Sequence, residues 1–255
     1  MKRLITTFVI GLIAAVSAVS QQKPQDSGTK PPETAKPAAM PSVDEVLARY
    51  VAAIGGKEAV QKLTSRTAKG TFEIPAMGVS ASAEMFAKAP NKSLLVLDIP
   101  GFGIIRDGFD GTIGWAEEPQ GGLREKTGAE LAASKRDNDF YRDIRLKEIY
   151  SKMELTGKEK VGDRDAYAVA ATAPDGSTEK LYFDVETALM VRADTERETP
   201  QGKLPIQAFM EDYKEVDGIK MPFTLRQSTA AFSFTIKLTE VKHNVAIEDS
   251  KFAKP

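Results

Sequence analysis

The chain has 255 residues, 42% of them hydrophobic and 28% charged, which is the balance of a soluble globular protein. Its 35 basic residues against 36 acidic ones leave a net charge of −1. That near balance argues against nucleic acid, which is bound through a basic excess, and against polybasic attachment to a membrane. Cysteine is absent, so disulfides, thiolate metal sites, thiol nucleophiles and the lipid-attachment cysteine of a bacterial lipoprotein are all excluded.

The first 20 residues have the three parts of a secretory signal: Lys2 and Arg3, an apolar run from Leu4 to Val16, and the small-residue exit Ala18-Val19-Ser20. Cleavage is expected after Ser20. The apolar run is shorter than the roughly 20 residues of a membrane-spanning helix. Export to a periplasm, with no integral membrane segment left after cleavage, is the reading. Residues 21–41, QQKPQDSGTKPPETAKPAAMP, carry five prolines, no aromatic residue and one large apolar residue, Met40. Such a stretch cannot bury enough surface to offset its ordering entropy, and it reads as a disordered linker. One domain is expected over 42–255.

That domain opens with a helix. Ser42 and Glu45 form a capping box, and Val43, Val46, Leu47, Tyr50, Val51 and Ile54 follow at helical spacing up to Gly55-Gly56. A short turn over 57–63 continues it. Strands are predicted over 66–74, 79–88, 91–99, 102–109 and 112–117, the last two joined by Asp110-Gly111, a hairpin signal. Thr127, with Glu130 three residues on, predicts a second capping box and one broken or two short helices over 128–150. Strands resume over 153–161, 164–173, 178–184, 206–216, 219–228 and 231–241, with Gly162-Asp163, Asp175-Gly176 and Asp217-Gly218 as turns. Eleven hairpin-linked strands make an antiparallel sheet. A sheet this wide must curl, split or close. The expected architecture is therefore mainly β (α+β): a curled, unclosed β-barrel, with the leading helix and the mid-chain helices as its lid.

Catalytic signatures are missing. His243 is the sole histidine, and no G-x-S-x-G or H-E-x-x-H accompanies it. A hydrogen-bonded or solvated edge residue is its expected role. Gly101-Phe102-Gly103 lacks the G-x-G-x-x-G spacing and reads as a turn. Asp137-Asn138-Asp139 has some likeness to a calcium loop but lacks the downstream Gly and Glu; a solvated helix face is expected. No enzyme activity, cofactor or metal is expected. A hydrolase using some of the many carboxylates remains the enzyme alternative. The remaining candidates are apolar. Trp115, Phe209, Phe234 and Ile236, then Phe72 and Phe86, are the expected lining of a pocket on the concave face. Period two shows which residues share a face within a strand, not which face is concave.

The stretches AAIGGKEAVQKL, RTAKGTFEIPAMG, KAPNKSLLVLDIPGFG and DGFDGTIGW, with KLYFDVETALMVR and DYKEVDGIKMPFTLRQS later, resemble the outer-membrane lipoprotein-sorting proteins, the LolA/LolB-like carrier family. The resemblance runs over roughly residues 43–255. It implies an unclosed barrel with a helical lid, a periplasmic location, and a lipid or the acyl chains of a lipoprotein as ligand. The alternative is an envelope interaction module with a filled core, whose open sheet edge takes a protein partner.

Overall fold

The computed structural model describes residues 40–199 and 202–255. The expected signal and nearly all of the expected linker lie outside the described residues. Two helices, α1 (Val43–Ala53) and α2 (Lys57–Gln61), lead into β1 (Ser65–Ile74). Hairpins then carry the chain through β2 (Val79–Lys88), β3 (Lys92–Ile99), β4 (Gly103–Phe109), β5 (Gly114–Glu118) and β6 (Gly122–Glu125). A helical passage follows, made of α3 (Gly128–Asp137), a 3-10 turn at Arg142–Ile144 and α4 (Leu146–Ile149). The second strand series is β7 (Lys152–Val161), β8 (Arg164–Thr172), β9 (Thr178–Asp184), β10 (Met190–Thr199), β11 (Gly202–Val216), β12 (Ile219–Ser228) and β13 (Ser233–His243).

All thirteen strands form one sheet, in the order β6-β5-β4-β3-β2-β1-β13-β12-β11-β10-β9-β8-β7. It is an unclosed, wholly antiparallel half-barrel, as the hairpin punctuation predicts. The order has a topological consequence. The chain starts at the middle of the sheet, works out to the edge at β6, and resumes at the opposite edge, β7. The link between them, the helical passage, must therefore cross a whole face of the sheet. That makes it a lid.

Two strands exceed the expected eleven. β6 is a four-residue edge strand whose residues are all exposed, so no apolar alternation marks it. In β10 the alternation is one of charge, with Arg192, Asp194 and Glu196 at every second position.

The capping box at Ser42 forms as predicted: Glu45 N–H donates to Ser42 Oγ at 3.2 Å, and Ser42 N–H donates to the Glu45 carboxylate at 2.7 Å. It fixes a helix whose stripe of Val46, Leu47, Tyr50 and Ile54 is buried against Val169, Leu181, Phe183 and Met190 of the sheet. Each fully buried side chain of this size contributes about 1.5–3 kcal/mol. The helix ends tight on the β11–β12 hairpin. Gly55 has φ +117°, and a Cβ there would lie 2.3 Å from the Gly218 carbonyl oxygen.

The second expected capping box does not form. Thr127 makes no side-chain cap bond. Glu130 is held instead by Arg124, whose two terminal nitrogens donate to its oxygens at 2.7 and 2.8 Å. A bidentate, charge-assisted pair outcompetes a single bond to a backbone N–H.

Candidate ligand-binding site

The lid is tied down on both arms of the sheet. Toward the β7–β13 arm, Glu179 of β9 is the hub. Arg136 Nε donates to it at 3.1 Å, Arg142 Nη2 at 3.1 Å, and the Tyr150 hydroxyl at 2.7 Å. Tyr150 in turn accepts from Arg142 at 2.7 Å. Burial opposes the Arg142 charge, but the Tyr150 phenol and the Glu179, Asp143 and Asp137 carboxylates outweigh it and hold its pKa above the usual value. Burial also pushes the Tyr150 phenol up. Toward the other arm, Ser93 Oγ of β3 donates to Asn138 Oδ1 at 2.6 Å, and Phe140 N–H donates to the Pro90 carbonyl at 2.9 Å. The Tyr50 hydroxyl of α1 donates to Asp143 at 2.8 Å, joining the two helical regions.

The Asp-Asn-Asp run is thus a latch, not the solvated face expected. Asp137 pairs with Arg197 of β10, Asn138 meets Ser93, and Asp139 pairs with Arg145 at 2.6 Å. Among the described residues no group of acids and histidines could hold a metal ion. His243 is hydrogen-bonded, as expected: its Nδ1 lies 3.0 Å from Asp217.

Between lid and sheet run three cavities that share walls. The outermost, about 890 Å³, is framed by α3 and by the ends of β10 and β11, and charged side chains such as Lys126, Glu130, Arg136 and Glu196 line it. It shares Asp107, Asp137 and Asn138 with a second cavity of about 290 Å³, whose surface is mostly polar. This one shares Arg66, Met85, Phe140, Arg142 and Asp143 with the innermost, of about 310 Å³. The innermost chamber is mostly apolar. Four of the eight methionines, Met85, Met190, Met210 and Met221, line it, with Ile54, Leu63, Leu225 and Leu238. Its volume is at the lower end of the roughly 300–1,000 Å³ of small-ligand sites. Unbranched, polarizable methionine gives a wall that can adapt to its contents.

The six residues expected to line a pocket fall in three places. Phe72, Phe234 and Ile236 come together: Phe72 is opposite Ile236 in the β1–β13 ladder, and the Phe72 and Phe234 rings are 5.2 Å apart. They belong to the cluster that includes Ala68, Met221 and Leu238 of the inner chamber, but stand farther along the strands. Trp115 packs with Leu94 and Phe252, and Phe86 leans on that cluster. Alternation along β2 and β3 puts this group on the opposite face from Ala83, Leu95 and Leu97. Phe86 also borders the second cavity, and Lys251 Nζ lies 4.4 Å from its ring centre. Phe209 is flanked by guanidinium groups, Arg226 at 3.8 Å and Arg192 at 5.5 Å from its ring centre.

Strand aromatics are the expected lining, whereas the walls are mainly methionine and aliphatic side chains, with Tyr50, Phe140 and Tyr213 as their aromatic members. Arg66 and Met85 could have been suspected from the alternation of β1 and β2 alone, since each shares a face with apolar neighbours two positions away.

An open antiparallel half-barrel roofed by an edge-to-edge helical passage defines a class of folds built around a covered concave face. Solved structures share it. A DUF1329 family protein from Desulfovibrio piger superposes with a TM-score of 0.58 at 18% identity, covering 83% of this chain and 97% of that one. A LolA superfamily protein from Nitrosomonas europaea gives 0.55 at 14%, covering 84% and 99%. An outer membrane lipoprotein-sorting protein domain, described as putative, from Vibrio parahaemolyticus gives 0.52 at 13%, covering 82% and 95%. The chain thus has the fold that its sequence resemblance implies. No protein-family profile and no curated protein sequence matches it.

Proposed function

We propose that this protein is an exported, non-enzymatic carrier or binder of a lipid-like ligand, held by its acyl chain in the methionine-lined chamber under the lid. The observation that carries the reading is the chamber itself: about 310 Å³ of mostly apolar-walled space inside a fold whose other contacts are well satisfied. Removing apolar surface from water contributes about 25 cal/mol per Å², so even part of one chain gives useful affinity. The polar second cavity, which shares a wall with it, supplies a path for an amphiphile to enter tail first.

Three further observations support the reading. No helix among the described residues is long and apolar enough to cross a membrane. The N-terminal pattern is that of a secretory signal, which fits a periplasmic site of action. The solved structures of the same fold include a lipoprotein-sorting domain, and lipoprotein acyl chains are therefore one candidate cargo.

The test is to purify the chain from a periplasmic fraction and extract it for lipid mass spectrometry. Stoichiometric lipid supports the carrier. A lipid-free protein that also refuses a fluorescent acyl probe overturns it and favours the envelope interaction module, with the exposed edge strand β6 as the surface to examine for a partner protein.

A further inference from the structure

Arg66 stands on the wall shared by the polar second cavity and the apolar inner chamber. The register places it on β1 between Ala87 of β2 and His243 of β13. Neither offers it an anion, since His243 is already engaged by Asp217. The charged lid residues in the same chamber wall are Arg142 and Asp143. Asp143 is the acid whose charge reaches Arg66, but the two make no ion pair within 4 Å, and Asp143 already accepts from Tyr50 at 2.8 Å. Among the described residues Arg66 has no side-chain hydrogen bond and no salt bridge. Protein surrounds its side chain, yet part of its surface stays open, because what it faces is cavity. Burial accordingly pulls its pKa below the usual value. Arg142, on the same wall, keeps a second unmet donor: its Nε is buried without a partner.

A half-buried guanidinium without a carboxylate partner carries a desolvation cost unless something binds it. Its fork of donors matches a carboxylate or a phosphate bidentately. Here the fork sits where an apolar chamber meets a polar one, which is where the headgroup of an amphiphile comes to rest when its tail fills the chamber.

We infer that Arg66 is a headgroup anchor that selects single-chain amphiphiles with a monoanionic head, a free fatty acid first among them. This rests on the carrier reading above and sharpens it to a ligand class. Of the two cations in the chamber wall that are unpaired among the described residues, Arg66 and the exposed Lys220, only Arg66 also borders the polar second cavity, and one cation at that boundary matches one negative charge. The small chamber suits one tail, not the several chains of a lipoprotein.

The experiment measures binding of palmitic acid, hexadecanol and a lysophosphatidylcholine to the delipidated full chain, at pH 8 and two salt concentrations. Wild type is expected to prefer the acid over the alcohol by about tenfold to a hundredfold, the worth of one charge-assisted hydrogen-bonded contact. Arg66→Met is expected to abolish that preference, keep hexadecanol affinity within about threefold, and raise the apo melting temperature by removing a half-buried charge that has no ion pair. Equal wild-type affinity for acid and alcohol overturns the anchor while leaving the carrier intact, and needs no variant. Binding of neither overturns both. Lysophospholipid bound more tightly than the acid, with the same dependence on Arg66, assigns the site to a phosphodiester head instead of a carboxylate. An Arg66→Met that loses acid and alcohol equally makes Arg66 a wall residue only.

Discussion

The indole of Trp115 lies so close over Gly108, its cross-strand partner, that a Cβ on Gly108 would be 2.2 Å from the ring. From there the indole N–H donates to the carbonyl of Phe252 at 2.9 Å, which pins the C-terminal turn onto this face of the sheet. Gly108→Ala is expected to destabilise the fold by about 1–3 kcal/mol through overpacking, read as a lowered urea midpoint with unchanged slope. A neutral result would mean that the ring can shift without releasing the turn.

The same turn carries an acid-sensitive clasp. Asp249 pairs with Lys88 and Lys92, each at 2.7 Å. Their hydrogen bonds and charges bring its pKa from 3.8 down to about 2. A carboxylate with a depressed native pKa adds stability that is complete above its unfolded value and disappears as pH falls through the native one. The clasp should therefore hold above pH 4 and weaken toward pH 2. Trp115 is the sole tryptophan, so its fluorescence should shift to the red over that window. Asp249→Asn should show part of that shift at neutral pH. Identical acid titrations of the two proteins would count against the clasp.

Glu179 gathers two arginines and a tyrosine in a site where its side chain is 5% exposed. Removing the acid by Glu179→Ala strands Arg136 and Arg142 together. Breaking a buried ionic cluster in this way costs about 3–5 kcal/mol. Denaturant unfolding measures the loss, and hydrogen exchange should show it concentrated in residues 139–150. Uniform loss of protection across the sheet would argue that Glu179 supports the whole fold and not the lid.

Met210 faces the inner chamber and is only partly buried by its neighbours. Met210→Phe extends side-chain volume into open space, so stability should change by less than about 1.5 kcal/mol. Uptake of an acyl probe should fall at least about tenfold, in line with tails occupying the chamber. Undiminished uptake would place the ligand elsewhere.

Much of the fold was legible because turns announce themselves. Asp110-Gly111, Asp175-Gly176 and Asp217-Gly218 each mark a real hairpin, and hairpins fix antiparallel order. The two missed strands had no apolar alternation to read: β6 is an exposed edge defined by its pairing with β5, and β10 alternates charge. The chamber was less legible for a different reason. Which face of the sheet is covered depends on the route of the chain between β6 and β7, a property of topology and not of any window of residues. Trp115 and Phe86 alternate as correctly as Ala83 and Leu97 do, but on the other side. Nothing in the local pattern says that Gly108 vacates space for the indole, or that Phe252, far along the chain, returns to cover it.

The route of the chain also makes the protein divisible. The first and last strands, β1 and β13, meet at the centre of the sheet, where no hairpin joins them. The arms β1–β6 and β7–β13 are each continuous in sequence, and their covalent link is the lid. A single cut within residues 138–141 would therefore yield two fragments, each a complete run of hairpins carrying half of the lid. They would share the β1–β13 seam, and the contacts around Glu179 and Ser93 would hold the severed halves in place. Such a pair could reassemble on mixing, which makes the cover of the cavity a natural place for a split reporter of its contents.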